Sequence, residues 1–291
     1  MTEPLALLRL VRAPNTFTAA ADVVAGAALW AAAVGAGAPN PARIVLAALG
    51  GALLYAFGAG LNDLVDRKKD QTSAPTRPLP SGRVTLFAAR ATVAACFVGA
   101  VVAVASTGGG PMLMAAAAVL GILLYDVVVK DIDLLAAAAL GLARGACLAI
   151  GFALATPTWF ESTRLLAAAG GYAMLIALLT IVSQLEDRPH TRAARLVRLA
   201  ALLSGYVAFA LAVDRSLNSV LRMTTVGILS ITPGLRPGAP LFLVVKAAVF
   251  TLPLLSFSIC LTVGAKFSAL ACAAAFVAVF LTARLLAVRE S

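Results

Sequence analysis

Between Leu61 and Arg83 the chain reads LNDLVDRKKDQTSAPTRPLPSGR, a run of acids, bases and an amide set between apolar stretches. Asn62, Asp66 and Asp70 recur at every fourth residue, with Asp63 beside them. At 3.6 residues per turn a step of four rotates a side chain by only ~40°, so a helix would stack these oxygens on one face. Carboxylates packed that closely repel unless a cation sits among them. Oxygen donors without histidine or cysteine suit Mg2+, which takes one or two carboxylates and shares its other positions with water and phosphate. The chemistry implied is diphosphate binding, with the metal neutralising charge on a leaving group. Arg77 and Lys68 or Lys69 are the neighbouring cations suited to the remaining phosphate oxygens. Pro75, Pro78 and Pro80 stiffen the loop that carries Arg77. Lys68, Lys69 and Arg83 are equally well read as charged helix flanks. The aspartates are not, because acids add little to membrane topology.

The elements that must position these groups are apolar. Of 291 residues, 62% are hydrophobic and 12% charged, where a soluble domain has about 45–50% and about 25%. The chain therefore reads as an all-α, polytopic integral membrane protein. A helix needs about 20 apolar residues to cross the hydrocarbon layer. Nine runs qualify: 16–37, 43–61, 84–106, 111–130, 134–155, 164–183, 197–215, 238–262 and 266–287. Their short connections predict a single membrane domain over 1–291. The stretch 216–237, with Pro233 and Pro237, reads as a loop or a short interfacial helix. The last two runs are parted by little more than Gly264-Ala265-Lys266.

The net charge of +10 lies mainly in loops, where it sets topology and meets anionic lipid head groups, so nucleic acid is not an expected partner. Arg67, Lys68, Lys69, Arg77 and Arg83 follow the second run, and Arg188, Arg192 and Arg195 follow the sixth. This asymmetry predicts a bacterial-type inner membrane with the charged motif facing the cytoplasm, although Arg215, Arg222 and Arg236 weaken it. Cys96, Cys147, Cys260 and Cys272 lie inside apolar runs without a CxxC pair, and His190 is the only histidine, so no disulfide framework or histidine metal site is expected.

Asn62-Asp63-Leu64-Val65-Asp66-Arg67-Lys68-Lys69-Asp70 resembles the NDxxDxxxD signature of UbiA-type intramembrane prenyltransferases, and RPLPSGR resembles the loop that follows it there. The resemblance implies about nine transmembrane helices around a central cavity. It also implies Mg2+-dependent transfer of a prenyl group from an allylic prenyl diphosphate to an aromatic or other lipid-soluble acceptor. Asn62, Asp63, Asp66 and Asp70 become metal ligands, and Asp66 and Asp70 catalytic groups. Arg12 and Asn15 resemble the family's first-helix RxxN element, though a snorkelling arginine beside a helix cap reads equally well. Tyr125 and Lys130 resemble its Tyr…Lys element and imply diphosphate binding. Arg144, inside the fifth run, is costly to bury and is a substrate-binding candidate or a structural ion-pair partner. Where the family carries a second aspartate-rich motif, this chain reads TIVSQLEDRPH. Only Glu186 is left there to serve as a metal ligand and catalytic acid, since the adjacent Asp187 points about 100° away. In this respect the chain resembles the UbiA-like proteins encoded in Ebo-type gene clusters. The weakened motif leaves open a protein that binds an isoprenoid or lipid diphosphate and presents or exports a metabolite without chemistry.

Overall fold

In hydrocarbon each backbone N–H and C=O must be paired within its own segment, so apolar runs of this length become helices. The computed structural model describes residues 3–35, 37, 39–156, 158–185, 191–236 and 240–287. In chain order its α-helices are α1 (Pro4–Leu10), α2 (Ala13–Val34), α3 (Pro41–Val65), α4 (Arg67–Ser73), α5 (Leu86–Ala105), α6 (Gly109–Leu123), α7 (Asp133–Ala153), α8 (Thr163–Gln184), α9 (Arg192–Val213), α10 (Leu217–Leu235), α11 (Phe242–Thr262) and α12 (Lys266–Ala287). A π-helical stretch, Leu124–Val129, extends α6. Side chains flanking the apolar runs set the helix starts: Asn40 accepts from Ala42 N at 2.8 Å, and Thr85 and Thr191 cap α5 and α9.

Among the described residues, nine helices are long and apolar enough to cross a membrane: α2, α3, α5, α6 with its extension, α7, α8, α9, α11 and α12. They fall on the nine expected runs, shifted by a few residues. The last two part at Gly264, whose φ of 72° a residue with a Cβ would adopt only under strain.

The segment 216–237 differs from its expectation. It forms a 19-residue helix, α10, that stands antiparallel between α9 and α11 along their length. Three heights establish this. Gly234 lies against both Leu199 and Val244; Tyr206, Ser230 and Thr251 share a hydroxyl chain at 3.0 and 2.7 Å; and Arg222 reaches Thr262 at 3.2 Å. The helix misses span-like hydropathy because it is rich in hydroxyls. Three of these are satisfied locally, Thr225, Ser230 and Thr232 each donating to the carbonyl four residues back. With α10 counted, the long helices alternate so that Arg12, Asp66, Lys130, Gln184, Arg198, Arg236 and Leu286 fall at one end of the bundle. Arg9 donates to the Leu286 carbonyl at 2.6 Å, joining the two ends of the described chain.

At the centre α2 packs against α3, α7, α11 and α12. It crosses α7 at Gly26 and Gly151, where a Cβ would come within 2.1 Å of the Leu148 carbonyl and 2.2 Å of the Val23 carbonyl. That backbone contact brings Asp22 of α2 to Arg144 of α7. The alternation makes a prediction that strict nine-span counting reverses. Single cysteines in Glu3→Cys and Ala287→Cys variants react with an impermeant maleimide from the same side of sealed vesicles, and one in Lys266→Cys from the opposite side. Labelling of positions 3 and 287 from opposite sides would remove α10 from the bundle.

Candidate active site

A cavity of about 650 Å3 opens at the end of the bundle that carries the charged loop. Its mouth is built from two helices that meet rung by rung. Asn62 and Asp66 lie one turn apart on α3 and its cap, and Asp126 and Lys130 one turn apart on the π-helical stretch and its end. Asn62 Nδ2 donates to Asp126 Oδ1 at 2.8 Å, and Lys130 Nζ pairs with Asp66 Oδ2. The wider π-helical turn sits where Tyr125 and Asp126 meet α3, a placement frequent at functional sites. The Lys130 ammonium also lies 5.5 Å from the centre of the Tyr125 ring.

The other two acids of the signature stand behind this wall. α3 ends at Val65, Asp66 caps it, and α4 restarts at Arg67, so the expected ladder is divided between two helices. Asp66, Asn62, Arg12, Arg77, Tyr125, Asp126 and Lys130 all line the cavity, and Asp63 and Asp70 are absent from its lining. Both of the latter are buried, and they hold arginines. Asp70 accepts from Arg77 Nη1 at 2.7 Å, while Asp63 Oδ1 faces Arg77 at 3.8 Å and Arg12 at 3.7 Å. Asp63 Oδ1 is buried with no hydrogen-bond partner.

Local structure explains how each arginine arrives. Arg12 turns the chain between α1 and α2 in a left-handed conformation, φ 49°, that costs an L-residue about 1–2 kcal/mol. Arg77 is set by the proline loop, which is folded under by Leu79 and Val84 against Ala6, Leu10 and Ala89. Arg83 braces it by donating to Ser81 and to the Thr76 carbonyl. Asn15, one turn into α2, donates to the Tyr55 hydroxyl at 3.2 Å and also lines the cavity. Lys68 and Lys69 are exposed, as flank charges are. Glu186, expected as a further acid, lies outside the described residues, as do Asp187 and His190.

Deeper in the cavity Arg144 is buried, and its pairing is specific. Its Nη2 sits 2.6 Å from Asp22 Oδ2 and donates to Tyr172 at 3.2 Å, and Nη1 donates to Thr18 at 3.2 Å. Tyr172 donates to Asp22 Oδ1 at 2.7 Å, and Ser256 to the same oxygen at 3.4 Å. The two readings of Arg144 thus meet in one residue: it is held by an acid and it faces the cavity. Asp22 and the acid role of Asp126 were passed over in the sequence. A signal existed for each, a carboxylate within or at the end of an apolar run.

The donor chemistry can be tested against Mg2+. Among the described residues no three acids, cysteines or histidines converge on a metal-sized space. What the mouth offers is two carboxylates, Asp66 and Asp126, beside the Asn62 amide, with three cations around them. That incomplete oxygen set suits a metal whose other positions belong to water and phosphate.

An all-helical membrane bundle with a cavity running from a polar, charged mouth into apolar helices defines an intramembrane protein that handles amphiphilic molecules. The model of the UbiA prenyltransferase family matches residues 24–262, and the chain belongs to that family. It resembles a UbiA homologue of Archaeoglobus fulgidus, solved with DMAPP and Mg2+, with TM-score 0.64 and 15% identity over 94% of this chain and 98% of that one. It also resembles a structure from work on the membrane-bound digeranylgeranylglyceryl phosphate synthase, with TM-score 0.57 and 16% identity over 90% of this chain and 98% of the other. At such identity these likenesses concern the fold. The digeranylgeranylglyceryl phosphate synthase of Methanopyrus kandleri is 38% identical over 120 residues, a stretch spanning 41% of each protein.

The buried pair makes a stability prediction. Asp22→Asn strands the Arg144 charge and costs about 3–5 kcal/mol, whereas Asp22→Asn combined with Arg144→Met recovers much of that loss. Thermal unfolding in detergent measures both, and an Asp22→Asn protein as stable as wild type would show that the pair carries no such load.

Proposed function

We propose that the protein transfers a prenyl group within the membrane from an allylic prenyl diphosphate to a lipid-soluble acceptor. The observation that carries this reading is the paired wall of Asn62–Asp126 and Asp66–Lys130 at the mouth of an apolar cavity. Asn62, Asp66 and Asp126 are the proposed holders of Mg2+, which when bound would neutralise negative charge on the diphosphate. Arg12, Arg77 and Lys130 bind phosphate oxygens, and each already has an acid that aims it. Asp63 and Asp70 position the two arginines. The isoprenoid chain lies along Leu54, Ile122 and neighbouring apolar side chains of the same cavity.

The allylic C–O bond breaks, pyrophosphate departs with the bonding electrons, and the cationic carbon is captured by a nucleophile of the acceptor. A proton released by the acceptor passes to Asp126 at the mouth. The excess of Arg and Lys at this end of the bundle supports a mouth that faces the cytoplasm from an inner membrane. The names of the relatives support the donor class, since one was solved with DMAPP and another with GPP, each with Mg2+.

Release of pyrophosphate from a panel of allylic diphosphates by the purified protein tests the reading, and it requires Mg2+. Asp66→Ala and Asp126→Asn each lower turnover by about a hundredfold or more. Asp70→Asn, which frees Arg77, raises the KM for the diphosphate more than it lowers kcat. Failure to bind or turn over any member of the panel overturns the proposal. Tight binding without turnover instead marks a protein that binds and presents its ligand.

A further inference from the structure

Five cationic side chains line the cavity: Arg12, Arg77, Lys130, Arg144 and Lys246. Four have a carboxylate within 4.0 Å, namely Asp63, Asp70, Asp66 and Asp22 respectively. Lys246, on α11, has no acidic partner among the described residues. Its ammonium lies 5.8 Å from the centre of the Phe250 ring. Lys246 is exposed near the start of α11, so what distinguishes it is its place in the cavity lining without a neighbouring acid among the described residues.

The helix that shares this wall is α8, which contributes Thr180, Ser183 and Gln184 to the cavity. Thr180 spends its hydroxyl on the Ile176 carbonyl at 2.8 Å. Gln184 Oε1 is buried and has no hydrogen-bond partner. A buried carbonyl oxygen without a donor carries an uncompensated desolvation penalty until something supplies one. No carboxylate of α8, α10 or α11 lines the cavity among the described residues. The two walls therefore differ in kind. The one built from α3 and the extension of α6 couples its cations to acids. Among the described residues, the one built from α8 and α11 presents a positive charge without an acid and an unmade hydrogen bond.

We infer that Lys246, with Ser183 and Gln184, forms a second anion subsite that takes a phosphate-class group on the α8–α11 wall. The ammonium supplies the counter-charge, the Ser183 hydroxyl donates to a phosphate oxygen, and the Gln184 side chain accepts from an adjacent O–H. This rests on the proposed function and extends it. Two sources can bring a phosphate there, the distal phosphate of the prenyl donor or a phosphate carried by the acceptor.

The test uses the full chain in nanodiscs with Mg2+ and three probes. These are geranyl thiolodiphosphate, which cannot ionise readily, a dialkylglycerol phosphate, and the same dialkylglycerol without phosphate. Lys246→Met is expected to weaken one phosphate probe by about tenfold or more, while Lys246→Arg stays within about threefold of wild type. Gln184→Leu follows Lys246→Met in direction. A loss confined to the thiolodiphosphate assigns the subsite to the donor, and a loss confined to the dialkylglycerol phosphate assigns it to the acceptor. Equal binding of both phosphate probes by wild type and Lys246→Met overturns the inference and leaves the proposed function standing. Weakening of the neutral dialkylglycerol to the same extent also overturns it, since the lysine would then act through shape. Asp66→Ala serves as the control, losing the thiolodiphosphate whatever Lys246 does. A wild-type protein that binds neither phosphate probe overturns the proposed function and this subsite together.

Discussion

Charge held at the edge of a hydrocarbon layer has to be matched, and this bundle is organised around that matching. Arg144 and Asp22 lie in the interior of α7 and α2, where an isolated charge would be expelled or neutralised. They meet because α2 and α7 touch backbone to backbone at Gly26 and Gly151. The contact makes α2 the central helix, with α3, α11 and α12 arranged around it. Tyr172, Thr18 and Ser256 complete the pair from three further positions, so the polar centre also ties α8 and α11 to α2. The cavity lining and the centre of the fold thus share Arg144 and Thr18.

The mouth repeats the rule with a different outcome. Each acid there faces a base or an amide, yet the matching is shallow and open to water. Asp66 and Lys130 form an ion pair on the cavity lining, and in the proposed function it is this pair that a phosphate and a metal would divide between them. Asp63 and Asp70 are placed otherwise, buried behind arginines whose guanidinium groups reach the cavity. Two carboxylates of one signature thus stand behind arginines while a third, Asp66, lines the cavity. The cost of the left-handed Arg12 is borne by the same arrangement, since α1 and the proline loop close over the turn.

Helix α10 shows how polarity inside a membrane bundle is distributed. Thr225, Ser230 and Thr232 bond to their own backbone, and Ser230 also bridges Tyr206 and Thr251. Hydroxyls satisfied in this way cost the bundle little. The helix therefore sits between α9 and α11 although its composition falls short of the nine apolar spans. Its presence brings Arg236 and the last turn of α12 to the end of the bundle that carries the charged loop, and so sharpens the charge asymmetry between the two faces.

The nine apolar helices were legible in the sequence because hydrocarbon leaves a run of some 20 apolar residues one low-energy conformation. The acids and bases of the mouth were legible too, since Asn62, Asp63, Asp66 and Asp70 stand out against an apolar background and follow a helical period. What spacing could not assign was which oxygen faces the cavity. That depended on a helix break at Asp66 and on which arginine reached each acid across the loop. Asp22 and Asp126 acquired meaning only through partners 122 and 64 residues distant in the chain, Arg144 and Asn62. Lys246 stands out only after the four other cations of the cavity lining have been matched to acids among the described residues. Period and hydropathy are local properties that one segment settles by itself, whereas the counter-ion of a buried charge is chosen by whichever helices pack around it.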